Sequence, residues 1–207
     1  MDSKEELINS IIEMEWKMFQ NVNNVGGKAG CQQDSQTFKI MRLSQAMSWS
    51  EVTLVSYLED LKEAEKDRRN LLSEKYARMM KSTSPFEYAR ISHLLPPLDN
   101  EALSLIDKIA EIELEWEEDI AKNFPYVVQR GRPLHSSEDS MFATSFETYL
   151  RGELATYSKR TIKLHHENRS NQKSNNLNGN KIAYEMMVKA YGYKSLEEAN
   201  EKLKGCV

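Results

Sequence analysis

Residues 7–19 read LINSIIEMEWKMF and residues 142–157 read FATSFETYLRGELATY. In the first stretch Leu7, Ile8, Ile11, Ile12, Met18 and Phe19 recur at helical spacing. At about 100° per residue they gather into one apolar arc, and Glu15 falls near its middle. In the second stretch Phe142, Phe146, Tyr149, Leu150, Leu154 and Tyr157, with Leu164 beyond, form a similar arc, and Glu153 falls near its centre. A carboxylate turned inward is costly unless it is paired, hydrogen-bonded, protonated or in a wet pocket. The two stretches therefore predict helices with a polar site between them.

Helical periodicity continues through the 207 residues, and no segment alternates convincingly as a strand. Helices are predicted over 4–21 and 35–47, the latter apolar nearly all round and so expected to be central. Ser50 caps a long helix reaching residue 80, and Ser84-Pro85 opens a short one that ends at Pro96-Pro97. Asp99 or Asn100 caps a helix to residue 123; a sixth covers 141–166, a seventh 181–191, and Ser195 begins a last one with a capping box. Residues 125–140 are irregular. Residues 167–180, ENRSNQKSNNLNGN, read as a polar linker. The expected fold is all-α: a multi-helix bundle over 1–166, the linker, and a short helical C-terminal appendage over 181–207.

Net charge is −4, from 28 Lys and Arg against 32 Asp and Glu, so no DNA-binding surface is expected. No apolar run approaches the roughly 18 residues that span a bilayer, so no membrane is expected either. The opening MDSKEELINS is acidic and helical in pattern, which is not a signal peptide, and Cys31 and Cys206 make no disulfide framework. The expected compartment is the cytoplasm.

Inward acids need bases. On the predicted 50–80 helix Glu65, Arg68 and Arg69 interrupt the apolar face, and Glu65 can hold one arginine and leave the other free. Arg90 lies between Phe86 and Leu94. Glu15 and Glu153 are expected to pair with Arg90 or the spare arginine, with Glu113 a third candidate inward acid. Tyr149, Glu153 and Tyr157 share a face at i, i+4 and i+8, and Gly152 beside them suggests close helix packing. Two accounts fit: a buried salt-bridge lattice, or a pocket whose acids have raised pKa values and whose arginines grip an anion.

The loop 24–34, NVGGKAGCQQD, is a second focus. Gly26, Gly27 and Gly30 free the backbone, Lys28 adds a cation, and Asp34 or Ser35 caps the next helix, whose start attracts anions. It lacks the P-loop spacing, and as an ordinary helix connection it needs no ligand. Cys31 beside a lysine is a candidate for a lowered thiol pKa. No Glu-x-x-His occurs, so no metal site is expected beyond a minor all-carboxylate option at Glu15, Glu113 and Glu153. No cofactor is indicated. His165-His166 is expected at a helix end facing solvent. Arg130 with His135, and Arg160 with His165, match the spacing of helical toxin ribonucleases.

The segments EMEW at 13–16, NVGGKAGCQQD at 24–34, FKIMR at 38–42 and SFETYLRGEL at 145–154 resemble a bacterial family catalogued as domain of unknown function 4125. The likeness spans nearly the whole chain. It implies an uncharacterised cytoplasmic bacterial protein of about this size. It also implies an association with nucleotidyltransferase-like neighbours, and with them a phosphate- or nucleotide-linked role.

The leading expectation is an enzyme or ligand-binding protein with an internal carboxylate/arginine pocket for a small polar or anionic molecule. Glu15 and Glu153 form its acid/base pair and Tyr149 and Tyr157 orient them. Arg42 or Arg90 binds the anionic group, and residues 26–31 close the mouth. The alternatives are a non-catalytic partner of a nucleotidyltransferase-like protein, or a helical ribonuclease.

Overall fold

A computed structural model describes residues 3–23, 27–129 and 131–205. Among the described residues there are eleven α-helices and no strand. They are α1 (Lys4–Gln20), α2 (Ser35–Met47), α3 (Glu51–Lys66), α4 (Leu71–Thr83), α5 (Pro85–Ile91), α6 (Asn100–Asn123), α7 (Pro125–Val128), α8 (Phe146–Leu154), α9 (Lys159–Ser174), α10 (Gly179–Ala190) and α11 (Leu196–Lys204). None of them is long and apolar enough to cross a membrane.

Local chemistry sets the boundaries. Nine of these helices start at a Ser, Asp or Asn whose side chain accepts a backbone N–H of the first turn, from Ser3 on α1 to Ser195 on α11. The other two, α5 and α7, carry proline in the first turn, where its missing N–H costs nothing.

The main core gathers Ile8, Ile11, Leu54, Leu61, Ile109, Leu154 and Ile162 from α1, α3, α6, α8 and α9. A smaller core of Ile120, Phe124, Val188, Leu196 and Ala199 joins the end of α6 to α7, α10 and α11.

Three expected elements differ. The long helix over 50–80 is two, because Asp67–Asn70 forms a turn with Arg68 at φ 57° and Asn70 caps α4 afresh. The helix over 141–166 is also two, α8 and α9, divided where Ser158 caps the second; residues 141–145 precede it, and Phe142 is 94% exposed. The linker over 167–180 is mostly the second half of α9, whose buried stripe of Thr161, Ile162, His165 and Arg169 runs through the polar composition. The chain turns at Asn176 (φ 55°), and α10 then packs along α2 and α6. α10 thus rests on the bundle directly, and α11 lies against α7 and α10. α2 is peripheral rather than central, with Met41 exposed.

Candidate functional site

Four helices bring inward charges to one place, and a fifth adds a phenol. Glu15 on α1 accepts a two-pronged contact from Arg42 on α2, Nε to Oε2 at 2.7 Å and Nη2 to Oε1. The other face of the guanidinium turns to α8, where Nη1 donates to Glu153 Oε1 at 2.9 Å. Lys75 on α4 donates Nζ to Glu153 Oε2 at 2.5 Å. Two phenols complete the cluster: Tyr57 on α3 donates to Glu15 (2.7 Å) and Tyr157 to Glu153 (2.9 Å), while Gln45 spans Arg42 and Glu153. Two carboxylates thus meet two cations, and all four side chains are buried or nearly so.

Electrostatics decides what these groups can do. Burial alone would raise the Glu153 carboxyl, but Arg42 and Lys75 outweigh it and hold it well below the usual carboxylate range. Glu153 is therefore a fixed anion at neutral pH, not the raised acid expected from sequence. Burial, and next the Glu15 carboxylate, push the Tyr57 phenol up; burial and Glu153 do the same for Tyr157. Both remain protonated donors.

The cluster has an outer edge. Lys75 Nζ sits 3.4 Å from the centre of the Tyr149 ring, and the Arg132 guanidinium lies 4.5 Å from the same ring. Burial, followed by the neighbouring Tyr149 and Cys31, raises the Tyr76 phenol. Cys31 and Arg132 are exposed, so the glycine loop and the segment before α8 meet near Tyr76 and Tyr149 at the surface.

The expected site residues therefore divide. Glu15, Arg42, Glu153 and Tyr157 are joined, and Tyr149 flanks them. Cys31 is near the outer edge. Arg90 is exposed on α5 and takes no part, because its short helix lies outside α4. Arg68 is exposed and Arg69 forks onto Glu74, so neither supplies the spare cation. Asp34 caps α2, with the Thr37 N–H lowering its carboxyl. Lys28 reaches Gln20, and Gly27 is exposed at φ 88°. Gly26 and Arg130 lie outside the described residues. The loop is anchored by buried Gln32, whose amide donates to the carbonyls of Phe19 and Val22.

Lys75 and Tyr57 were missed. Buried Leu71, Leu72, Lys75 and Met79 share a face of α4, and a lysine on that face has no visible partner until Glu153 on α8 is laid against it.

A second polar cluster lies between α6, α9 and α10. Arg169 donates Nε to Glu113 at 2.7 Å, and His165 Nε2 is 3.2 Å from the same oxygen. Burial lowers the His165 pKa, as does Arg169, so the ring is neutral; its Nδ1 and the Trp49 indole N–H are buried without partners. His165 is thus a core residue rather than a solvent-facing one. Exposed Arg160 pairs with Glu59, so it shares no site with His165. Glu113, expected inward, is buried here and not beside Glu15. Residues 12–16, IEMEW, and 112–116, IELEW, are alike in sequence but not in burial: Glu15 is buried where Glu115 is exposed, and Glu113 is buried where Glu13 is exposed. Glu117, held by Asn180 and Tyr184, is raised to about 7 by burial. Among the described residues no three His, Cys, Asp or Glu side chains are grouped to hold a metal ion.

No curated protein and no solved structure matches the chain. The family model described as a protein of unknown function, DUF4125, matches residues 5–201, and the chain belongs to that family.

Proposed function

We propose that the protein binds, and as an enzyme acts on, a small anionic molecule, with the Glu15–Arg42–Glu153–Lys75 cluster as its polar centre. One observation carries this: four charges from four helices are buried together with two phenols, a costly arrangement that contributes little stability compared with apolar packing. The anion meets Arg132 first, beside the Tyr149 ring, with Lys75 on the same ring as the inner cation. Glu153, kept ionised and held by Arg42 and Lys75, acts as an electrostatic anchor rather than in proton transfer. Native and denaturing mass spectra of the purified protein test the reading. A small anion released on denaturation, and no longer retained by Arg132→Gln, supports it.

A second reading is favoured by the saturation of the cluster, since all four carboxylate oxygens already accept a hydrogen bond. On that reading the charges are structural, and the protein is a non-catalytic partner of a nucleotidyltransferase-like protein. An apo mass, together with co-purification of such a partner, selects it. A helical ribonuclease, with Arg160 and His165 apart, has the least support.

A further inference from the structure

Asp60 on α3 and Arg78 on α4 line one cleft of about 250 Å³, and neither has an ion-pair partner among the described residues. Arg78 donates Nη2 to the Pro96 carbonyl at 2.7 Å, and its Nε is buried with no hydrogen bond. Glu74, the carboxylate that attracts it, is already forked by Arg69 through both of its oxygens. Asp60 accepts the Ser158 backbone N–H at 2.9 Å; burial raises its carboxyl, and hydrogen bonding from Ser158 and Thr161 offsets part of that rise. The other charges are at the rim: Lys159 is spent on Asp99 and Glu101, Arg69 attracts Asp60 from a distance but is forked onto Glu74, and Glu63 is exposed. A half-buried charge with no partner is costly, and here two of opposite sign face one space without neutralising each other.

Leu71, Pro97, Leu98 and Ile162 supply an apolar part of the wall, and Thr156, Tyr157 and Ser158 a polar one. The volume is below that of a drug-sized pocket and suits a molecule of roughly ten non-hydrogen atoms. The geometry points to a binding site for a small zwitterion with an apolar body, of the class of free neutral α-amino acids. Its carboxylate meets Arg78, its ammonium meets Asp60, and its side chain lies on Leu98 and Ile162. Each end supplies the charge that its partner lacks, which makes both contacts charge-assisted. The site is separate from the cluster proposed above and stands without it, although Tyr157 belongs to both.

The test is a two-dimensional NMR titration of the full-length protein with L-leucine, leucinamide, which lacks the carboxylate, and N-acetyl-leucine, which lacks the ammonium. Leucine is expected to shift the amides of Leu98, Asp99 and Ser158, and both analogues to bind at least about tenfold more weakly. Asp60→Asn and Arg78→Gln are expected to weaken leucine by a similar factor. Should Arg78→Gln fail to fold, the analogue series on the unaltered protein still decides. No shifts at about 10 mM leucine, equal binding of all three compounds, or shifts confined to other segments would overturn the assignment.

Discussion

Replacing Arg42 with methionine keeps an unbranched apolar stem and removes the charge that joins α2 to α1 and α8. Glu15 then retains Tyr57 as its donor and loses its cation, whereas Glu153 retains Lys75. Breaking a buried pair by removing one partner costs about 3–5 kcal/mol, since the remaining charge stays desolvated. A domain of this size loses roughly 2–4 °C of Tm per kcal/mol, so the variant should melt about 6–20 °C lower. Adding Glu15→Gln in the same chain removes the stranded carboxylate and leaves Glu153 and Lys75 balanced. The double variant should therefore recover more than half of the loss, with a coupling of about 2 kcal/mol. Urea unfolding followed by tryptophan fluorescence measures all three chains. A cost below about 1 kcal/mol for Arg42→Met, or additive single effects within about 0.5 kcal/mol, would refute the account of the cluster as mutually dependent charges.

Three other outcomes follow from the geometry. Glu117 is raised to about 7, so it favours the folded state least where it must ionise: its penalty is absent below the unfolded carboxyl pKa and grows as pH rises through about 7. Glu117→Gln, which can keep the contacts to Asn180 and Tyr184, should stabilise by on the order of 2 kcal/mol at pH 8 and by little at pH 4, read from Tm at the two values. Glu153 has the opposite sign: its folded pKa is depressed, so its contribution is present above the unfolded value of about 4.3 and is lost as pH falls below it. Acid unfolding of Glu153→Gln should accordingly be shallower than that of the unaltered chain over that range. Gly152→Ala would place a Cβ 2.8 Å from Met79 Cγ and 3.2 Å from the Lys75 carbonyl; the methionine can yield but the backbone cannot, so about 1–3 kcal/mol should be lost in denaturant titration.

The parts of this molecule that were legible in its sequence are those where one helix decides the answer. Glu15 and Glu153 could be placed inward because the arc of Glu15 lies within α1 and the nearest part of the other arc, Phe146, Tyr149, Leu150 and Leu154, lies within α8; the starts of α3, α5 and α6 could be placed because caps and prolines act locally. What failed depended on a helix break or on partners. One left-handed residue, Arg68, ends α3 and leaves Arg69 in the turn, where it forks onto Glu74 and is no spare cation, while nothing within α4 shows that Lys75 meets Glu153. In α9 the buried stripe is itself polar, and a histidine and an arginine facing Glu113 look like solvated surface until α6 is laid against them. The partner of Glu15 and Glu153 was among the candidate residues, but in the wrong role. Arg42 was assigned to grip an incoming anion, and its three donor nitrogens instead hold two glutamates and Gln45 from within. An inward charge announces that a partner exists; which partner is a question of how helices distant in sequence are laid together. That same limit hid Asp60 and Arg78, whose informative property is the absence of a partner, visible only when every neighbouring helix is in place.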